Sequence, residues 1–138
     1  MIIFKIVVVS IKLKYIKAKW GGVNMRSVIK LENAFIFIIT IAVYVKLEFS
    51  IWLFLLLLLV PDIFMLGYVI NRKTGSYVYN IGHTYITPII IALLYLYIDE
   101  RLLLQIALIW LAHISMDRTL GFGLKYSSDT DKTIIQKM

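Results

Sequence analysis

The chain has no cysteine, two prolines, two histidines and eight acidic residues in 138. Without a thiol there is no disulfide framework, no thiolate metal site and no cysteine nucleophile, so a metal could be held only by histidine and carboxylate. Polar residues are too scarce to cover a soluble domain: 61% of the residues are hydrophobic, 17% are charged and the mean hydropathy is +0.86. The apolar residues come in long runs that lipid covers, which excludes an ordinary soluble domain and a disordered chain alike.

The net charge of +7 resembles a nucleic-acid signal until it is divided. Lys5, Lys12, Lys14, Lys17 and Lys19 stand in residues 1–24 with no acid, leaving ten basic against eight acidic residues in the remaining 114. Phosphate recognition needs a wettable basic surface, and the rest of the chain offers a lipid-facing one, so no nucleic-acid partner is expected. Lys5 and Lys12 also interrupt the apolar core that a secretory signal would need, and no small-residue cleavage site follows. Codons for Trp20-Gly21-Gly22-Val23-Asn24-Met25 can contain a bacterial ribosome-binding sequence just ahead of an ATG. Residues 1–24 are therefore expected to be a basic extension that is untranslated in the native protein, Met25 being the start; the alternative is a basic segment lying on an anionic membrane surface.

Beyond Met25, apolar runs reach a spanning length of about 20 residues once end charges are allowed to snorkel. The expected helices lie near 28–47, 49–70, 76–98 and 101–121, joined by the short connections Glu48, Asn71 to Gly75, and Asp99-Glu100. Tight connections force antiparallel neighbours, so the expected fold is an all-α integral membrane antiparallel four-helix bundle over residues 25–126, with a tail at 127–138. Arg26, Lys30, Arg72, Lys73, Arg118, Lys125, Lys132 and Lys137 fall at one end, against Lys46 and Arg101 at the other. That bias places both termini and the tail in the cytoplasm of a multi-pass inner-membrane protein. Tyr77 and Tyr79 at one end, with Tyr95 and Tyr97 at the other, suit interfacial belts or packing.

Within these spans, ionisable residues need a reason, since a central Asp costs roughly 2.5–3.5 kcal/mol even on an insertion scale. At about 1.5 Å per residue, Asp62, His83 and His113 each lie roughly 10–12 Å, and Asp117 roughly 6 Å, from the basic end. Three helices thus bring two Asp and two His to a similar depth. Ser76, Asn80, His83 and Thr87 recur at helical spacing as a polar stripe facing the bundle. His113 and Asp117 are one turn apart, able to share an ion, or Asp117 could fix the imidazole tautomer. Pro61 and Pro88 each remove a helical hydrogen bond beside the cluster, near Leu57 and Thr84. Gly121-Phe122-Gly123 lacks the strand and further glycine of a phosphate loop and is expected to end the fourth helix. Met65 and Trp110 are read as core or lipid contacts.

The chemistry supports three readings. Asp62, His83, His113 and Asp117 suit one divalent metal (zinc, manganese or iron), with Asn80, Thr84, Thr87 and Arg118 as a supporting polar network. Such an ion would activate water against a lipid-proximal ester or phosphate. Alternatively the cluster only holds helices together, with lipids or a partner subunit as ligand. A third reading is proton-coupled transport, for which so few helices would need a homo-oligomer.

Several of these residues also carry a resemblance: Pro61-Asp62 with Met65-Leu66-Gly67-Tyr68, Tyr79-Asn80 with His83-Thr84-Tyr85, and Trp110-Leu111-Ala112-His113-Ile114 with Asp117-Arg118 and 121–126. Together they resemble the small bacterial membrane proteins grouped as domain of unknown function family 4260, over about residues 29–126. The resemblance implies a compact multi-helix membrane protein beginning near Met25, with no established activity. It also implies a Thr-His pair near the tail where this chain has Thr133-Ile134. Pro61-Asp62 and His83-Thr84 alone are similar to dipeptides of membrane-bound metal-dependent hydrolases, an analogy that does not establish function.

Overall fold

Helix starts in this chain are marked by polar caps. The side chains of Asn24, Ser50, Asn71 and Glu100 accept hydrogen bonds from the backbone N–H groups of Arg26, Leu53, Thr74 and Leu102, each satisfying a donor that a helix start leaves free. Glu48, Asp99 and Gly121 adopt positive φ values of 57°, 58° and 102° just past helix ends and turn the chain there. The structure is a computed structural model that describes residues 24–126 and 132–138; the expected basic extension, apart from Asn24, lies outside them.

Six α-helices follow: α1 Met25–Lys46, α2 Ile51–Leu57, α3 Arg72–His83, α4 Ile86–Ile98, α5 Arg101–Leu120 and α6 Ile134–Lys137, with a 3-10 segment at Val60–Val69. The fold is all-α among the described residues, as expected, but two of the expected helices are broken. The helix expected at 49–70 gives way to 3-10 geometry at Val60, because Pro61 has no N–H to donate and its ring crowds the preceding turn. The helix expected at 76–98 starts earlier, at Arg72, since Asn71 caps it. It then breaks at Thr84-Tyr85, which puts Pro88 in the first turn of α4, where a missing N–H costs nothing. Thr87 Oγ1 donates to the Ile81 carbonyl at 2.5 Å and Trp110 Nε1 to the Gly82 carbonyl at 2.7 Å, so carbonyls near the break are satisfied. Trp110, read from sequence as a core or lipid contact, is a structural donor.

Met25–Lys46 (22 residues) and Ile51–Val69 (19 residues) are each long and apolar enough to cross a membrane, and α3 with α4, bent by 43°, make a third if counted as one span. The fourth expected span, α5, does not meet that test. It is instead the interior helix, burying Gln105, Ala107, Ile109, Ala112, His113, Ile114 and Ser115. Its Gln105, His113 and Ser115 face protein, while Leu56, Val69 and Leu96 elsewhere are 74%, 83% and 75% exposed, an apolar exterior.

Two packed units result. α1 runs antiparallel along α5: Lys30 Nζ donates to the Leu120 carbonyl at one end and Arg101 to the Leu47 carbonyl at the other. α4 packs on α5 as well, whereas the 3-10 segment packs on α3. The second contact is close because it is lined by glycines. A Cβ on Gly82 would stand 2.7 Å from the Phe64 ring, and one on Gly75 would collide with Tyr68. Tyr44, Phe54, Ile109 and Ala112 form the apolar core, and Gln105 Nε2 donates to the Tyr44 hydroxyl at 2.7 Å while that hydroxyl donates to the Ser50 carbonyl at 2.8 Å. Gly121 ends α5, as expected, and the closing segment folds back: Lys125 bridges Thr133, Ile135 is buried, and Arg26 donates to the Gln136 carbonyl.

Candidate metal centre

Three local devices deliver the four side chains of the cluster. Pro61 starts the 3-10 segment and sets Asp62 in its first turn; the break after His83 leaves that residue at the C-terminus of α3; His113 and Asp117 lie one turn apart on the interior helix. The four meet, as expected from their depth. His83 Nε2 lies 3.4 Å from Asp62 Oδ1 and 3.6 Å from Asp117 Oδ2, His113 Nε2 lies 3.6 Å and 3.8 Å from the same atoms, and the two Nε2 atoms are 3.1 Å apart. All four ligand atoms fall within 4.8 Å of one another. His113 is fully buried and His83 nearly so, whereas the Asp62 side chain is 42% exposed.

Hydrogen bonding fixes the chemical character of the site. His83 Nδ1 is 2.9 Å from the Tyr79 carbonyl, which can only accept, so this nitrogen carries a proton and, in the neutral ring, Nε2 has the lone pair. That lone pair points at two carboxylate oxygens and a second imidazole nitrogen. His113 Nδ1 has no partner among the described residues. Asp117 Oδ2 approaches His113 on the side of the cluster, 3.8 Å from Nε2. Two carboxylate oxygens and two imidazole nitrogens converging in this way need a proton on a ring nitrogen, such as His113 Nε2 donating to His83 Nε2 at 3.1 Å, or a cation between them. Ligands at 2.0–2.1 Å around a tetrahedral ion are separated by about 3.3–3.4 Å, toward the short end of the separations here, so the side chains would draw slightly inward around an ion. The group could hold a divalent metal, and its nitrogen and oxygen donors suit zinc, manganese or iron.

Of the supporting residues named from sequence, none reaches the cluster directly in the hydrogen bonds of the structure. Asn80 receives the Lys125 N–H at 2.7 Å and donates to the Lys125 carbonyl at 2.8 Å, and Ser76 donates to the Tyr126 carbonyl, so the stripe clasps the segment after α5. Thr84 and Thr87 bond backbone at the helix break. The Arg118 guanidinium lies 4.2 Å from the centroid of Tyr85, whose hydroxyl donates to Asn33. Tyr79 was legible only as a belt or packing residue, yet it is 4% exposed and stacks on His83 at 3.7 Å and 13°. Lys125 was also missed: its ammonium lies 4.5 Å and 4.7 Å from the Tyr79 and Tyr68 ring centroids. No spacing rule links Lys125 to residues 46 and 57 positions earlier.

A family model described as a domain of unknown function, DUF4260, matches residues 26–138. The chain belongs to this family. The match covers all six helices except Met25 and includes all four residues of the cluster. No curated protein and no solved structure matches the chain.

Proposed function

We propose that Asp62, His83 and His113 hold one divalent metal ion inside the membrane with Asp117 beside it, and that the site hydrolyses a lipid-proximal ester or phosphate. The observation that carries the reading is the convergence of four potential ligand atoms within 4.8 Å, with His83 Nδ1 already engaged by the Tyr79 carbonyl. A second ring nitrogen held by a backbone carbonyl is how metal-binding histidines are oriented. The ion would supply Lewis-acid activation of water. Asp62, His83 and His113 serve as ligands; Asp117 takes the proton of the attacking water and returns it to the leaving oxygen as the ester bond to carbon or phosphorus breaks. Asp62, the most exposed of the four, is where substrate enters.

The site works in a four-helix arrangement in a bacterial inner membrane, with α5 crossing in the shelter of α1 and α4 and with both termini in the cytoplasm. Support comes from the basic bias of one end and from the antiparallel α1–α5 contact, which sets Arg26 and Lys30 beside the carbonyls of Gln136 and Leu120. Elemental analysis of the detergent-purified protein tests the centre. One metal per chain is expected, lost in His83→Ala and in His113→Ala; metal-free protein of undiminished stability would leave the cluster as a polar tie between helices.

A further inference from the structure

Along α5 the chemistry changes in a fixed order. At about 1.5 Å per residue, Ile106, Ile109 and Trp110 precede His113 by roughly 5–10 Å, while Arg118 follows it by roughly 7 Å. The first group lines an apolar cavity of about 240 Å³ with Leu57, Val60 and Pro61. This space exists because the helix breaks before Pro61, and it adjoins the cluster through Pro61, the neighbour of Asp62, and through Trp110, one turn before His113. Its one indole N–H is already given to the Gly82 carbonyl, so the walls offer hydrocarbon alone. A smaller cavity between α4 and α5, of about 90 Å³, is also apolar but touches no member of the cluster.

On the other side of the cluster stand two cations. Arg118 lines a crevice with Tyr79, His83 and Asp117 that is closed to a water-sized group, so an anion would enter only as the Arg118 side chain swings off the Tyr85 ring. Lys125 is held at Tyr79, the ring stacked on His83, by both backbone hydrogen bonds to Asn80. Among the described residues, neither pairs with a carboxylate within ion-pair distance, although two carboxylates stand at the cluster itself. Aromatic faces hold these charges in place while leaving their donors for an anion. The order is hydrocarbon slot, metal ligands, cations, and it runs toward the end where Arg26 and Lys30 lie.

The geometry points to a phosphorylated membrane lipid as the ligand of this site, its hydrocarbon tail in the slot beside Pro61 and Trp110 and its phosphate between the metal ligands and Arg118 with Lys125. The assignment rests on the metal reading for the hydrolytic step and chooses phosphate over a neutral ester. In that step the water oxygen bonds to phosphorus, the bond from phosphorus to the lipid oxygen breaks, and the proton passes from water by way of Asp117 to that oxygen. A lipid lying in the bilayer with its head toward the charged end has the same polarity as the slot and the cations.

The test uses full-length protein carrying Trp20→Phe and Trp52→Phe in detergent, with and without added zinc, after its metal content is measured. Trp110 fluorescence reports brominated-chain phosphatidic acid, the matching brominated diacylglycerol, and inorganic phosphate as competitor. Expected is quenching by phosphatidic acid at a concentration at least about tenfold below that needed for diacylglycerol. Lys125→Met or Arg118→Gln should erase that preference with metal content unchanged. Ile106→Phe, or Val60→Phe should the first variant fold poorly, should weaken lipid binding while inorganic phosphate still binds. Equal affinity for the phosphorylated and neutral lipids, or inorganic phosphate binding as tightly as the lipid, overturns the assignment. Phosphatidic acid preference in protein that takes up no metal would uphold the lipid site and remove the metal centre, so the two failures are distinguishable.

Discussion

The Nε2 atoms of His83 and His113 face each other at 3.1 Å across the junction of the two packed units. One sits at the end of α3, the helix packed on the 3-10 segment; the other sits on α5, the helix packed on α1 and α4. With the His83 Nδ1–H held by Tyr79, this approach brings two nitrogens together in a site that already contains two carboxylates. A cation that binds the folded state alone would relieve the crowding and stabilise the protein.

Zinc titrated to 100 times its dissociation constant should therefore stabilise the fold by about 2.7 kcal/mol, reversibly on chelation. Thermal unfolding followed by circular dichroism reads this. In His113→Ala the metal-dependent shift should vanish, and a shift of wild-type size in that variant would argue against the site.

Gly82→Ala should loosen the metal site without touching a ligand. A Cβ there stands 2.7 Å from the Phe64 ring, so the 3-10 segment carrying Asp62 must move away from α3 carrying His83. Overpacking of this kind costs about 1–3 kcal/mol. Metal affinity measured by chelator competition should fall by about tenfold or more, because a ligand displaced by a fraction of an ångström no longer meets the ion.

Asn80→Ala removes both hydrogen bonds to the Lys125 backbone, at 2.7 Å and 2.8 Å, and frees the segment that folds back after α5. A cost of about 1–3 kcal/mol is expected, with faster protease cleavage after residue 121. Unchanged cleavage would mean that Thr133 and Ile135 hold the segment by themselves.

Tyr79→Phe should leave metal content unaltered, since the carbonyl that orients His83 and the ring stacked on it are both retained. Tyr79→Ala should lower metal affinity, since the stack and the seat of Lys125 are lost together. Metal content by elemental analysis, compared across the two variants, separates ring from hydroxyl.

Gln105→Leu provides the control at the far end. It leaves the Tyr44 hydroxyl its bond to the Ser50 carbonyl and removes one donor from α5. A destabilisation of about 0.6 kcal/mol, with metal binding unchanged, is the expected result. Coupled loss of metal would mean that the whole of α5 positions the site.

Composition and periodicity alone determined the all-α, lipid-suited character of this chain, the end of α5 at Gly121 and the four residues of the cluster, while the family was carried by the combination of short motifs around them. These are properties that local patterns carry: long apolar runs have few alternatives, and an acid or imidazole inside them must find a partner. Tertiary structure decided where the helices break, that α5 is the interior helix, and that Asn80 clasps Lys125 and Tyr79 stacks on His83. A proline says that a hydrogen bond is missing but not whether the chain bends into 3-10 geometry or begins a new helix. That choice at Pro61 and Pro88 is made by what lies alongside, the glycine-lined approach of α3 in one case and the Trp110 indole in the other.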